Sequence, residues 1–538
     1  MEKSFTKLGV MVDCSRNSVM NLTALKRLTD LLAGMGYNAL QLYTEDTFEV
    51  NGEPYFGYMR GRYGKTEIKE LDAYCKSRGV ELIPCVQTLA HLNQAFRWPD
   101  YAAINDAADI LLVGEERTYK LIENIFATLA ECFSSREAHI GMDEAHMLGL
   151  GKYLDKHGYV NRHELMLSHL SRVVEIAGKY GFSCMMWSDM FFRLSFGGRY
   201  YADGEIPESV RKKVPAGLKL VYWDYYADDK SRYDAMIRRH KEFDNPTVFA
   251  GGAWTWTGLA PSNAMSISRT KSAFESCREH GVTEAYITMW GDNGGACSPF
   301  SVLPSLFAAA RFAEGETDIS AIKRGFEELV GMPFDTFMYA DLPNVLADDQ
   351  PRRADVNPSK YLFYNDPLLG IFDCTVTEGI GKVFADRASK LKRAESFPEW
   401  SFLFKPLRLL CEALSVKAAL GLKTRKAYKA GDKAALKALI AGDYKPLIGK
   451  IELFYESFAA YWDTLFKPHG FDVMDIRIGG LLRRLKHAVS KLDAYVSGKA
   501  PSIPELDESV LNPWSAPSDA DTALCFNEYN KTSTVNVL

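Results

Sequence analysis

Two acids, Asp143 and Glu144, stand side by side in the stretch HIGMDEAH, residues 139–146. The apolar run at 138–142 predicts a buried strand that ends where the carboxylates begin. An isolated Asp-Glu pair is more often a helix cap or a surface pair. At the C-terminal end of a strand in a parallel α/β fold the same pair reads as catalytic, because such folds keep their chemistry there. If the substrate is a sugar, spacing constrains the reaction: ordinary glycosidases set two carboxyls about 5 Å or roughly 6.5 to 9.5 Å apart across the bond they cleave. Sequence neighbours cannot readily take opposite faces of one sugar. They suit a reaction in which one acid protonates the leaving oxygen and the other orients and charges a 2-acetamido group, whose oxygen attacks the anomeric carbon.

Something must hold that pair at one end of a sheet. Eight short apolar segments, at 8–13, 39–43, 81–86, 138–142, 183–187, 218–223, 248–251 and 285–290, alternate with amphipathic ones such as 20–35, 67–78, 118–132, 162–180 and 262–280. This alternation predicts an α/β fold, a (β/α)8 TIM barrel over residues 1–315. A doubly wound sheet is disfavoured, since no glycine-rich phosphate loop follows the first strand. The strand ends carry Asp13, Ser15 and Arg16; Glu45 and Asp46; Gln87 and His91; the acid pair; Trp187 and Asp189; Trp223, Asp224 and Tyr225; Trp254 and Trp256; and Trp290 and Asp292. A ring of such endings on one face predicts a deep sugar pocket, with aromatic rings against apolar sugar faces and carboxylates on hydroxyls. His139, inside its strand, reads as a buried structural histidine.

Beyond the barrel the texture becomes helical, with Ala-, Leu- and Lys-rich periodicity at 382–395, 407–430 and 481–496. We expect a C-terminal α-helical domain at 316–500, entered through a connector near 342–357 that contains Pro and Asp, and an extended segment at 501–538. A formal charge of -5 over 538 residues offers no field for nucleic acid, and no run of about 18 apolar residues spans a membrane. The ten cysteines are scattered without metal spacing, which fits reduced thiols; with no signal peptide visible, a cytoplasmic protein is expected. His163 and His169 lack the spacing of a zinc pair, so neither metal nor cofactor is expected. A homodimer through the helical domain is the assembly considered.

The motif HIGMDE resembles the H-x-G-x-D-E signature of glycoside hydrolase family 20, the β-N-acetylhexosaminidases. VMVDCSRN is similar to that family's first barrel strand, NALQLYTED to its second, MMWSDM to its Trp-x-Asp strand and ITMWGD to its last. The resemblance covers about the first 300 residues and resembles most the short bacterial members without an α/β domain ahead of the barrel. It implies an exo-acting retaining enzyme that releases terminal GlcNAc, and GalNAc as a further substrate, through an oxazolinium intermediate. In that pattern Asp143 polarises the acetamido group and Glu144 is the general acid/base. Arg16 binds the 3- and 4-hydroxyls and Asp46 or Glu45 assists, while Trp187 walls the acetamido pocket and Trp290 floors the sugar. Asp292 holds the 4- and 6-hydroxyls, and Tyr225 bonds the acetamido carbonyl, with Tyr226 or a Trp at 254 or 256 as the alternatives, since the family usually carries that Tyr on the next strand. His91, Trp223 and Trp254 complete the expected contacts. Gln87 stands where the family commonly has an acid, so any relay from His91 to Asp143 must be wired differently. The readings weighed against this are a sugar-binding protein on a decayed barrel and a glycosidase with its own nucleophile.

Overall fold

The computed structural model describes residues 5–202, 204–346, 357–511 and 528–532. Eight parallel strands close a barrel in sequence order: β1 Lys7–Asp13, β2 Ala39–Tyr43, β3 Glu81–Cys85, β4 Glu137–His139, β5 Ser183–Trp187, β6 Lys219–Trp223, β7 Thr247–Gly252 and β8 Glu284–Met289. Strand-to-strand closure is made by β1 against β8, from Lys7 opposite Glu284 to Val12 opposite Met289. The TIM barrel anticipated from the alternation is the fold observed.

Inside the barrel, side-chain size decides what fits. Met11, Tyr43, Ile83, Met185, Trp187, Val221, Val248 and Tyr286 fill the lumen, and Ala39, Cys85 and Ala250 leave the room they need. Gly9 leaves the most, since a Cβ there would lie 2.4 Å from the Tyr286 ring. The lower end is closed by alternating charges. Lys7 bonds Glu81 at 2.9 Å and Glu137 at 2.8 Å, and Lys219 bonds Glu137 at 3.0 Å and Glu284 at 2.8 Å. With the bottom plugged, the open end is the one where the strands finish.

The strand expected at 138–142 is shorter than its apolar run. β4 stops at His139, and Gly141 (φ 71°), Met142 (φ 71°) and Glu144 (φ 49°) turn left-handed. Hydrophobicity reports burial and not the turn. At Gly141 a Cβ would fall 2.1 Å from Gln87 Oε1, so glycine is required there twice over.

After the barrel come long helices, including Leu303–Ala313, Ile319–Val330, Ile380–Glu395, Lys445–Leu465 and Asp472–Val496. The helix expected at 407–430 is two, Ser401–Lys417 and Leu420–Lys429, and they part at Ala419 (φ -106°, ψ 6°). At that break Gly421 lies so close to Asp373 that a Cβ would be 2.6 Å from its Oδ1. The helical region grips the barrel at the loop after β1. Met20 pairs with Phe466 as an isolated antiparallel bridge, and Lys467 N donates to Val19 O at 2.8 Å. Residues 347–356, 512–527 and 533–538, which hold most of the expected connector and extended segment, lie outside the described residues.

Gly9→Ala forces a methyl into the Tyr286 ring and should destabilise by about 1–3 kcal/mol. Gly178→Ala, at an exposed position of the helix Arg162–Lys179 with nothing within 4 Å of the new methyl, should be neutral or stabilising. Urea midpoints of the two variants moving in the same direction and by similar amounts would refute this account of the lumen.

Candidate active site

The strand ends converge on a cavity of about 430 Å3. Of the residues singled out in the sequence, Asp143, Glu144, Arg16, His91, Trp187, Trp223, Tyr225, Trp254, Trp290 and Asp292 all line it. Asp46 does not. Its carboxylate is buried against Arg60, 3.0 Å from Nε, while Glu45, left-handed at φ 47°, turns its own toward Arg16. Glu45 is therefore the second-strand acid that faces the cavity's arginine, and Asp46 pins the neighbouring loop.

The left-handed turn after β4 aims both acids into the cavity, and the loop after β3 supplies what fixes the first of them. Gln87 Nε2 donates to Asp143 Oδ1 at 2.7 Å, and Gln87 Oε1 accepts from Met142 N at 3.1 Å. His91 Nε2 lies 3.2 Å from Asp143 Oδ2 and 3.9 Å from Glu144 Oε2. Asp109 accepts from His91 N at 3.0 Å and stands 3.8 Å from Nδ1. Burial opposes charge on both partners. The mutual attraction of His91 and Asp143 outweighs it, so the imidazole is held up at about 10 and the carboxyl is held below its ordinary range. Asp143 is thus an ionised carboxylate in a largely buried place. His91, Asp143 and Glu144 also each present an atom within 4.8 Å of the others, as cation ligands would. The His91–Asp143 contact at 3.2 Å accounts for two of the three without an ion.

Glu144 is held differently. Its side chain is 41% exposed, and Arg193 Nη2 donates to Oε1 at 3.2 Å. Asp189 accepts from Arg193 Nε at 2.9 Å and from Glu144 N at 3.1 Å. Arg193, on the short helix Asp189–Ser195 after β5, was missed in the sequence, where the i,i+4 spacing from Asp189 was its only signal. Asp224 instead closes its own turn, accepting from Tyr226 N and Ala227 N.

Across the cavity Arg16 gathers acids: Glu45 at 3.2 Å, Asp292 at 3.6 Å and Asp13 at 3.8 Å. Burial lifts Glu45 to about 7 against the pull of Arg16. Tyr43 donates to Glu45 at 3.0 Å and accepts from Gln87 Nε2 at 2.9 Å, so a chain of hydrogen bonds joins the Arg16 side to Asp143. Aromatic rings make the remaining wall. Trp223 stacks on Tyr225 (5.4 Å, 14°), Trp254 meets Trp256 at a tilt (3.9 Å, 34°), and Trp290 Nε1 donates to the Tyr225 hydroxyl at 3.0 Å. His139 is buried with its ring 4.3 Å from Trp187; burial lowers it to about 3, and its Nδ1 accepts from Gly141 N.

The profile of the family 20 glycosyl hydrolase catalytic domain matches residues 5–230, and that of the Glycoside Hydrolase 20C C-terminal domain matches residues 335–525. The chain belongs to glycoside hydrolase family 20. It is 24% identical over 264 residues to hexosaminidase D of Bos taurus, covering 47% of this chain and 70% of that one. It is 24% identical over 253 residues to a beta-hexosaminidase of Akkermansia muciniphila, covering 40% of this chain and 51% of the relative. Hexosaminidase D of Homo sapiens matches at 24% identity over 45% of this chain and 49% of its own length, so the chain spans about half of these last two relatives. The solved β-N-acetylhexosaminidase of Bacteroides fragilis is 17% identical, with a TM-score of 0.47 over 62% of this chain and 71% of that one.

In this family 20 hydrolase the His91–Asp143 pair makes stability depend on pH. The raised histidine contributes fully below its ordinary 6.5, and that contribution fades as pH climbs to about 10. The depressed Asp143 contributes above its ordinary 3.8 and loses that contribution as pH falls through its lower folded value. His91→Gln should therefore cost most stability between about pH 4 and 6.5 and progressively less toward pH 10. Thermal melts of both proteins across that range check it, and a constant difference would remove the ion pair.

Proposed function

We propose that this glycoside hydrolase is an exo-β-N-acetylhexosaminidase that removes terminal non-reducing β-linked GlcNAc, and also GalNAc, with retention. The reading is carried by Asp143, an ionised carboxylate fixed by Gln87 and His91 in a cavity whose other wall is aromatic. That is what a 2-acetamido nucleophile needs. A fixed anion accepts from the amide N–H and stabilises the positive charge that grows there, while rings of Trp187, Trp223 and Trp254 pack against the methyl.

The steps follow from the groups present. The acetamido oxygen attacks the anomeric carbon, Glu144 gives its proton to the departing oxygen, and a bicyclic oxazolinium forms. Glu144 then takes a proton from water as that water opens the ring, which restores the original anomeric configuration. Tyr225 is offered for the acetamido carbonyl. Arg16, with Glu45 and Asp292, would grip the hydroxyls of the non-reducing end and leave no path for a further sugar, which makes the enzyme exo-acting. No step calls for a metal or cofactor. The nine described cysteines are all free, and we place the enzyme in the reducing cytoplasm on that ground.

A second reading has one observation behind it. Oxygens of the two acids lie within 4.8 Å, near the spacing of a retaining enzyme with its own nucleophile. Such an enzyme would cleave an aryl β-glucoside, whereas the substrate-assisted one cleaves only the aryl β-GlcNAc.

Asp143→Asn and Glu144→Gln should each lower kcat on aryl β-GlcNAc by roughly 100-fold or more. A thiazoline analogue of the cyclised intermediate should inhibit the wild type. Full activity in either variant, inversion of the product, or a sugar trapped covalently on the protein would defeat the mechanism. An inactive wild type that still binds the sugar would point to a binding protein on a decayed barrel.

A further inference from the structure

One residue of the cavity wall does not come from a barrel strand end. Glu528 lines the cavity beside Thr257 and Asn293, far along the chain from every other lining residue. It immediately precedes the short helix Tyr529–Thr532, whose first residue is anchored three ways. Tyr529 N donates to Asn293 Oδ1 at 2.8 Å, its ring meets Tyr364 edge-on at 5.0 Å, and the Arg477 guanidinium lies over it at 4.8 Å. Arg477 also donates to Asn293 O at 2.8 Å. Asn293 thus binds both the helical region and the segment at 528–532, and it is the residue after Asp292.

A buried lysine lies behind this wall. Lys360 is buried and its Nζ donates to Thr257 O at 2.6 Å and Asn293 Oδ1 at 2.5 Å. Burial, and after it Arg477, hold its pKa well below the ordinary lysine value, and Glu528 and Asp292 offset that only in part. Both carboxylates line the same cavity, beside Asn293 and Thr257, which Lys360 holds from behind.

We propose that Glu528 is a specificity-determining residue whose carboxylate, together with that of Asp292, reads the non-reducing side of the bound sugar. It accepts hydrogen bonds from free hydroxyls and turns away sugars that carry sulfate or phosphate on that side. This rests on the hexosaminidase reading and extends it to a residue outside the barrel. Two carboxylates facing an anionic substituent repel it, and because Glu528 is exposed and Asp292 partly so, that repulsion weakens as salt is added.

The test compares aryl β-GlcNAc with its 6-sulfate on wild type, Glu528→Gln and Tyr529→Ala. Glu528→Gln keeps the shape and removes the charge, and Tyr529→Ala releases the anchor. The wild type should favour the unmodified sugar. Both variants should raise the relative kcat/KM for the 6-sulfate about tenfold or more, and raise KM for the unmodified substrate more than they lower kcat. Tryptophan fluorescence titrations with GlcNAc and GlcNAc 6-sulfate should show the same change in relative affinity without turnover. Ratios equal to the wild type in both variants overturn the inference. A wild type that neither binds nor cleaves the unmodified sugar defeats the hexosaminidase reading itself, and this inference with it.

Discussion

A charged carboxylate that water scarcely reaches is costly unless its lone pairs are satisfied and its charge is matched. Asp143 meets both conditions through two side chains of one loop, the amide of Gln87 and the imidazole of His91. The local backbone is shaped by that requirement. β4 has to stop early, Gly141 has to lack a side chain because Gln87 occupies the space, and Met142 adopts a left-handed conformation that few such residues take. Left-handed non-glycine residues cost on the order of 1–3 kcal/mol and persist where the surroundings hold them. Here the hydrogen bond from Met142 N to Gln87 Oε1 is part of what holds them. A rigid anion is the return.

The same amide extends the constraint across the cavity. Gln87 joins Tyr43, Tyr43 joins Glu45, and Glu45 meets Arg16, so the group that would act at the 2-position and those that would hold the far hydroxyls share one hydrogen-bonded chain. The loop that carries Arg16 is in turn braced by the bridge from Met20 to Phe466 and by Arg60, which donates to Ser15 O while held by Asp46. The helical region therefore supports the geometry of the barrel's mouth as well as its flank.

Much of this could be read from residue types. Strand ends rich in Trp, Asp and Arg foretold the cavity, since such residues at one barrel face have few other uses, and the periodicity of alternating segments foretold the barrel. What escaped was conformation and long-range contact. Nothing in TED says that Glu45 turns in and Asp46 turns out, because that choice lies in a positive φ and in the distant Arg60. The apolar run before the acids hid a left-handed turn. The helix Lys445–Leu465 lies between periodic stretches that were recognised, and Glu528 reaches the cavity through Tyr529, Asn293 and Arg477, which no local pattern connects. Arg193 left only a four-residue spacing as a trace.

The contrast between the two acids bears on why each is where it is. Asp143, with an 11% exposed side chain, is held by the Gln87 amide and by the raised imidazole of His91, conditions that favour its ionised form. A group that only stabilises charge gains from such permanence, since nothing needs to reorganise as the transition state forms. Glu144 is open to solvent over 41% of its side chain and has a single arginine contact at 3.2 Å from a helix of the next strand. A general acid that must next serve as a base has to give up a proton and recover one in every cycle, and access to water is what makes the recovery possible. Placing Glu144 one residue further along the same left-handed turn lets a single stretch of chain hold one carboxylate fixed and leave its neighbour free to exchange. The order Asp then Glu suits the proposed mechanism: the shorter side chain stays deep against Gln87, and the longer one reaches the open side, where a leaving group would depart.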